Sequence, residues 1–451
     1  MRALGIDIGT TTISVLVLNA ESGDVIHSGC VANQFILGKQ YERLQDPEHI
    51  WSLACELIDG LSAQYGPFKS IGVTGQMHGI LYVNAAGTAV SPLYTWQDAS
   101  ANEPMEDGVP FVQQLARQSG YKMASGFGLA TLYVHVQRGQ IPEKAAAICT
   151  IGDYIAMRLV SQTSPAITPS NAASIGLFRL DENKFDVRAL IESSLPQRLL
   201  PSVTDCFTPL GTTSKGEVVA PAVGDNQASV LGSVRDLEDT VLLNVGTGSQ
   251  ISLAVPAGSQ ALEDGIERRP CLPGMDILVG APLCGGRAYA LLHDFFKKTA
   301  EIAGISIEGT LYAQMETAAS SMDEPVQILP LFCGTRQNPQ ERAVISNIGA
   351  DNFTPAALIK GMLIGMADEL YGLYGKMLSV RNSPPTLLVG SGNGIRKNAS
   401  LVRKMESIFS LPLRVPAHEE EAAFGAALCG LVCAGVFPSM RHAQTLIRYR
   451  D

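Results

Sequence analysis

Val219-Ala-Pro-Ala-Val-Gly-Asp225-Asn226-Gln227-Ala-Ser, followed by Thr240-Val-Leu-Leu-Asn-Val-Gly246-Thr247-Gly248-Ser-Gln250, decides the reading of this chain. An acidic residue stands directly after a glycine. An apolar run of strand length follows, bounded by a tight Gly-Thr-Gly turn, and such a run reads as a buried strand. Glycine lets the backbone approach a ligand closely, so the turn offers bare N–H groups and a hydroxyl to a phosphate. A candidate base, Asp225, and a candidate phosphate cradle, Gly246, Thr247 and Gly248, thus lie about twenty residues apart, as at the sheet end of an α/β enzyme. Alone, Asp225 also reads as a turn or cap aspartate.

The pattern occurs once more at the start. Leu4-Gly-Ile-Asp7-Ile-Gly9-Thr10-Thr11-Thr12-Ile-Ser-Val-Leu-Val-Leu18 is strand, Gly-Thr turn, strand. Aligning Gly9 with Gly246 aligns Thr10 with Thr247 and Asp7 with Asn244. An apolar strand returns after each turn. One Gly-Thr turn says little. Two at matching places predict two similar lobes that hold phosphates between them.

The 451 residues suit two cores better than one. With 46% hydrophobic and 17% charged residues the composition is that of an ordered globular protein. A net charge of −10 argues against a general nucleic-acid or anionic-membrane binder. Anionic substrates stay possible, because they need only a local nest of donors. The apolar start is broken at Asp7, no run reaches the length of a membrane span, and nine cysteines lie without metal spacing. The expectation is a cytoplasmic protein with reduced thiols and no signal peptide. Cys429 and Cys433 read as core.

Along the chain, Asp46-Pro47 predicts the start of a helix to about Tyr65, and Thr354-Pro355 the start of one to about Leu378. Gly361 and Gly365 share a face of the latter, where a neighbour can pack closely. Ile71 to Thr74 is a short strand ending in Gly75-Gln76-Met77-His78-Gly79. Ser170 to Ser174 reads as a polar turn. Gly285-Gly286 opens a helix. Thr386 to Val389 is a strand leading to Gly390-Ser-Gly392-Asn393-Gly394 and a further helix from about Asn398, an arrangement that offers N–H groups to a nucleotide. Glu419, Glu420 and Glu421 read as capping acids. The expected lobes are residues 1–224 and 225–451.

With these pieces placed, the chain resembles the FGGY carbohydrate kinase family. The resemblance rests on Asp7-Ile-Gly-Thr-Thr11, Gly75-Gln-Met-His-Gly79, Gly224-Asp-Asn-Gln227, Asn244-Val-Gly-Thr-Gly248, Gly285-Gly286 and Gly390-Ser-Gly-Asn-Gly394, in that order over nearly the whole chain. Gly75-Gln-Met-His-Gly79 is similar to the xylulokinase and sedoheptulokinase branches. Thr95-Trp96-Gln-Asp98, Gly126-Phe-Gly-Leu-Ala-Thr131 and Asn171-Ala-Ala-Ser174 lean towards the sedoheptulokinases. Gly334-Thr-Arg336 to Arg342 matches the family's Gly-Glu-Arg region only loosely, and the chain is shorter than most members.

The resemblance implies an α/β fold of two actin-like ATPase (ribonuclease H-like) lobes with a central cleft, the first for sugar and phosphate and the second for nucleotide. It implies transfer of the ATP γ-phosphoryl group to a ketose hydroxyl, first of all that of sedoheptulose, with a xylulose or ribulose kinase as alternative. Asp225 would be the general base, Asp7 would act on Mg²⁺ through water, and Gly9, Thr10, Thr11, Gly246, Thr247, Gly248 and Gly286 would hold phosphates. Gly392, Asn393 and Asn398 would lie at the adenosine. Gln76, Met77, His78, Trp96, Asp98 and Asn226 would face the sugar. Neither nucleic acid nor membrane is an expected partner, and a homodimer is left open. A non-enzymatic nucleotide switch of the actin or chaperone type would share the hairpins but lack the sugar loop and the base. A sugar-sensing repressor would need a basic helix-turn-helix ahead of Leu4.

Overall fold

A computed structural model describes the chain except residues 260–264, 321–323, 336–337, 339, 382 and 451. Arg336, in the loosely matching stretch, lies outside the described residues. The chain forms two units. One comprises Met1–Arg235, Arg269–Met275 and Glu420–Arg448; the other comprises Asp236–Arg268, Asp276–Glu419 and Tyr449–Asp451. Asp225 therefore belongs with the first unit, together with the residues that follow it as far as Arg235. The cause is packing. Its helix, Asp225–Ser233, lies against the helix Glu421–Cys433, and both carry glycine at the contact. A Cβ on Gly232 would sit 2.0 Å from the Glu421 carbonyl oxygen, and one on Gly425 would sit 1.9 Å from that of Ala228.

The first unit is built on a mixed sheet in the order Gly211–Thr212, Val218–Val219, Ser70–Gly75, Arg2–Ile8, Thr12–Asn19, Val25–Ala32, with Val223–Gly224 also pairing with Ser70–Gly75. Arg2–Ile8 and Thr12–Asn19 form the expected hairpin, with Asp7 opposite Ser14. Arg2–Ile8 is parallel to Ser70–Gly75, with Asp7 beside Thr74. Their long apolar runs are buried on both faces, as strands covered by helices must be. The helix Glu421–Cys433 lies on these strands at a distance no side chain would allow. A Cβ on Gly72 would meet the Ala426 carbonyl oxygen at 1.7 Å.

The second unit repeats the scheme. Thr240–Val245 and Ser249–Pro256 form the hairpin, and Thr240–Val245 is parallel to Leu387–Ser391. Asn244, the match of Asp7, stands opposite Gln250. The helix Pro355–Leu378 starts at the Thr354 cap and packs over this sheet. Its Gly361 and Gly365 admit the carbonyls of Val326 and Ile328, which a Cβ would approach to 2.3 and 2.0 Å. That close packing matches the sequence reading.

Ser170 to Ser174 does not form the expected turn. Pro169–Ile175 is a helix, with proline at its start after Thr168. Its polar side chains are buried but bonded: Asn171 Nδ2 reaches Asp153 Oδ1, and Ser174 Oγ donates to the Asn171 carbonyl. Tertiary hydrogen bonds override the turn propensity of serine and asparagine. Among the described residues no helix is long and apolar enough to cross a membrane.

Candidate active site

The ends of the first unit's central strands bring Asp7, Gln76 and Asp225 to one edge of the sheet. Val223–Gly224 pairs beside Thr74 and Gly75, and Thr74 Oγ1 donates to the Val223 carbonyl at 2.8 Å. Gly224 N–H donates to Ser170 Oγ at 3.1 Å. These bonds fix where the next helix begins, and Asp225 is its first residue. Carboxylates are favoured there by the helix dipole.

Asp225 Oδ1 accepts the Asn226 backbone N–H at 2.7 Å, which sets the direction of the carboxylate. Loss of hydration pushes its pKa up to about 6, against the pull of that N–H and of the Arg269 guanidinium. Asp7 is pushed further, to about 7, first by burial and then by the charges of Asp225 and Glu420. Its Oδ1 is buried and has no hydrogen-bond partner among the described residues. Glu420, expected only to cap, makes no side-chain cap bond and instead contributes to the field at Asp7.

The first Gly-Thr turn is tied down from both sides. Asn33 Nδ2 donates to the Gly9 carbonyl at 2.8 Å, and Gln45 Nε2 to that of Thr10 at 2.7 Å. A Cβ on Gly9 would lie 2.8 Å from the Thr12 carbonyl oxygen. The backbone N–H groups of Thr10 and Thr11 donate to no backbone carbonyl among the described residues.

Trp96 Nε1 donates to Thr10 Oγ1 at 3.0 Å, so the sugar-loop candidate touches the phosphate-turn candidate. Its ring is exposed. Gln76 Nε2 donates to Gln45 Oε1 at 2.7 Å, and Gln76 is buried. Gln45, which the sequence reading passed over, thus joins Thr10 to Gln76. Its leucine variant should leave a carbonyl and an amide without partners, at about 1–3 kcal/mol for each buried group. Denaturant unfolding of Gln45→Leu should show that loss, together with a raised KM. Unchanged unfolding would contradict the linkage.

His78 holds a left-handed backbone, φ 72°, unusual for a residue with a side chain. Ser174 supports it: His78 N–H donates to Ser174 Oγ at 3.1 Å, and Nδ1 lies 2.7 Å from the Ser174 carbonyl oxygen. A carbonyl only accepts, so Nδ1 carries the proton. The ring stacks on Phe127 at 4.7 Å, with planes 4° apart. Met77 and Asp98 turn inward. Met77 Sδ packs against Gly224, where a Cβ would meet it at 2.7 Å. Asp98 is buried and accepts from Ser100 N–H and Oγ and, at 3.3 Å, from Arg43 N–H. It fastens the Trp96 loop from beneath.

In the second unit the Gly246 N–H closes the turn onto the Gly248 carbonyl at 2.9 Å. The helix Gly285–Ile302 then pins it. Gly286 N–H donates to the Gly246 carbonyl and Arg287 N–H to that of Thr247, each at 2.9 Å. Gly286 therefore serves by closeness: its Cβ would lie 2.3 Å from the Gly246 oxygen. Thr247 and Gly248 are exposed. Gly392, at φ 80°, fits against Val245 and opens the short helix Asn393–Arg396. Asn393 is exposed, and Asn398 caps the next helix through Leu401 N–H at 2.8 Å. Asn244 Nδ2 ties the hairpin to Ser391 Oγ at 3.0 Å.

Two family models match this chain. The FGGY family of carbohydrate kinases, N-terminal domain, covers residues 2–241, and the C-terminal domain covers residues 263–434. The chain belongs to the FGGY family of carbohydrate kinases. Sedoheptulokinase of Mus musculus is 29% identical over 466 residues, covering 94% of this chain and 96% of that protein. Sedoheptulokinase of Homo sapiens is 27% identical at the same coverage. Xylulose kinase of Staphylococcus xylosus is 22% identical, covering 94% of this chain and 89% of its own length. Among solved structures, xylulose kinase from Lactobacillus acidophilus has a TM-score of 0.83 at 17% identity, covering 100% of this chain and 93% of that one. Gluconate kinase from the same organism has a TM-score of 0.85 at 17% identity, covering 100% and 92%. At such identity the structures speak for the fold alone: two actin-like lobes in one FGGY chain. As an FGGY kinase, the protein is a phosphotransferase that takes ATP as phosphate donor and a sugar alcohol group as acceptor.

Proposed function

We propose that this FGGY kinase phosphorylates a ketose of the sedoheptulose type, with Asp225 as general base. The observation that carries the mechanism is the fixed carboxylate. One oxygen is held by the Asn226 N–H, which leaves the other to accept a proton from a sugar hydroxyl. A loose phosphoryl-transfer transition state asks the base chiefly to orient that hydroxyl and to take its proton late. Burial gives Asp225 a pKa of about 6, so it is ionised at neutral pH yet basic enough to act.

The other assignments rest on place and residue type. His78, held by Ser174 in the loop after Gly75, would face the sugar. The exposed face of Trp96 suits the C–H side of a polyol. The Asn226 side chain reaches a neighbouring oxygen, while Gln76, Met77 and Asp98 shape the floor and hold the loop. Gly9, Thr10 and Thr11 on one unit and Gly246, Thr247 and Gly248 on the other hold phosphates, with Gly392, Asn393 and Asn398 beside the adenosine and Gly286 as support.

Asp7 suits Mg²⁺. Its Oδ1 is buried without a partner among the described residues, and two further carboxylates raise its proton affinity, a field that a divalent cation would relieve. Mg²⁺ is bound by one or two carboxylates plus waters and substrate phosphates, so Asp7 would act largely through water. Such an ion would neutralise phosphate charge.

Sedoheptulose is preferred over xylulose because the sedoheptulokinases share more identity with this chain than the xylulose kinases named above, over nearly the whole of both chains. ADP production with sedoheptulose, xylulose, ribulose and glycerol tests the choice. The highest kcat/KM should fall to sedoheptulose, and a higher value for xylulose would move the chain to the pentulose kinases.

The pKa of Asp225 sets a pH dependence. The base works ionised, so kcat/KM should be level above about pH 6 and fall about tenfold per unit below it. A profile flat from about pH 5 to about pH 8 would speak against Asp225 as the titrating base.

A further inference from the structure

The three residues that lead into Asp225 are each held by a side chain from elsewhere in the chain. Thr168 Oγ1 donates to the Ala222 carbonyl at 2.8 Å, and Thr74 Oγ1 to that of Val223 at 2.8 Å. Ser170 Oγ accepts the Gly224 N–H at 3.1 Å. Thr168 and Ser170 are buried, and their hydroxyl oxygens lie 2.9 Å apart. The proton directions follow. A carbonyl only accepts, so the one hydroxyl proton of Thr168 goes to Ala222. Thr168 is then the acceptor from Ser170, which gives it a proton and takes the Gly224 N–H on a lone pair. The bonds run one way, from Gly224 N–H through Ser170 and Thr168 to Ala222, and residues 222–224 close them into a ring. Asn171 Nδ2, at 3.3 Å from both the Ala222 carbonyl and Asp153 Oδ1, adds a second donor to Ala222.

Thr168 stands at the N-cap of the helix Pro169–Ile175, where a threonine ordinarily bonds a backbone N–H of its own helix. Here it makes no such bond. Its hydroxyl is spent on the segment that carries Asp225, so capping does not account for it. Both hydroxyls are needed for the ring. Without Thr168 the Ser170 proton loses its acceptor, and without Ser170 the buried Gly224 N–H loses its own, which is costly.

We propose that Thr168 and Ser170 are positioning residues for Asp225, their two hydroxyls acting as one unit that fixes residues 222–224 and so the point from which the carboxylate projects. The inference rests on the reading of Asp225 as general base. Neither hydroxyl touches a reacting atom in this scheme.

The test is kcat and KM with ATP and the best of the four acceptors named above, on enzymes whose circular-dichroism spectra match the wild type. Thr168→Val keeps the shape and removes the hydroxyl. Ser170→Ala removes the acceptor of Gly224. Each should lower kcat by about ten- to a hundredfold, the cost of a slightly misplaced catalytic group. KM for sugar and ATP should change by about twofold or less, because the loss falls on the transition state. The double variant should lose no more than the worse single one, since one break already opens the ring. Thr168→Ser, which keeps the hydroxyl, should keep kcat. In an Asp225→Asn enzyme, Thr168→Val should lower kcat no further, because no base is left to place. Should Ser170→Ala fail to fold, Thr168→Val decides alone. Wild-type kcat in folded Thr168→Val would overturn the proposal. So would a Thr168→Ser enzyme as slow as the valine variant, losses that multiply in the double variant, or an equal loss in the Asp225→Asn background. Those results leave the base itself standing, whereas wild-type turnover in Asp225→Asn would overturn the base reading beneath the proposal.

Discussion

Asp225→Asn should lower kcat by about 10²–10⁴-fold, the usual contribution of a positioned base. Asparagine keeps an oxygen for the Asn226 N–H and keeps the shape of the site, but it cannot take the hydroxyl proton. kcat and kcat/KM should fall together, as they do when an interaction made only in the transition state is lost. Affinities for sugar and ATP should change far less. The variant should also fold, for a physical reason. Burial holds the Asp225 pKa near 6, and its charge adds to the load on Asp7, so removing that charge relieves the folded state. The sign is that of a carboxyl whose folded pKa lies above its ordinary value: ionisation above about pH 6 costs stability, and the amide avoids it. Turnover near the wild-type value in a folded Asp225→Asn enzyme would remove Asp225 from the mechanism.

Gly246→Val should have the next largest effect, on nucleotide binding. A Cβ at Gly246 would meet nothing nearer than the Asn244 side-chain oxygen at 3.9 Å. Gly246 is also absent from the residues with positive φ, so a side chain brings no backbone strain. The fold should therefore tolerate the valine, which would fill the space beside the turn that is proposed for the phosphate. Charge-assisted hydrogen bonds are worth about 1.5–3 kcal/mol each. Losing one or two predicts ATP binding weaker by at least about ten- to a hundredfold. Calorimetric titration with ATP, alongside a circular-dichroism spectrum matching the wild type, checks this. An unchanged affinity would take the second Gly-Thr turn out of the phosphate site.

The parts of this fold that were legible in the sequence are local. Each hairpin announces itself through an apolar run, a Gly-Thr turn and a second apolar run, all within about eighteen residues. Their repetition at Asp7 and Asn244 reveals the two-lobed plan. Asp46-Pro47 and Thr354-Pro355 mark helix starts through capping chemistry that acts over three residues. The lobe boundary was not legible. Whether Asp225 stays with what precedes it depends on Gly232 and Gly425 meeting across some two hundred residues of chain, and nothing near Asp225 signals that.

The same distinction runs through the site. Asp225, Asp7, His78 and Trp96 sit at strand ends or next to glycines, where sequence context marks them out. Gln45, Glu420 and Arg269 reach the site from distant segments, and each acts on a neighbour. Arg269 carried one weak signal, a pair of arginines before Pro270 just after the second hairpin. Asp98 was expected to face the sugar, and it is buried and accepts from Ser100 and Arg43. A carboxylate two residues before a serine can as easily cap its own chain, and here it does.

The most direct measurement is ³¹P NMR of the product formed from ATP and sedoheptulose. A sugar phosphate monoester should accumulate in step with ADP, and ADP release should stop when the sugar is withheld. ADP release that continues at the same rate without sugar, with inorganic phosphate as the only new phosphorus signal, would contradict the account.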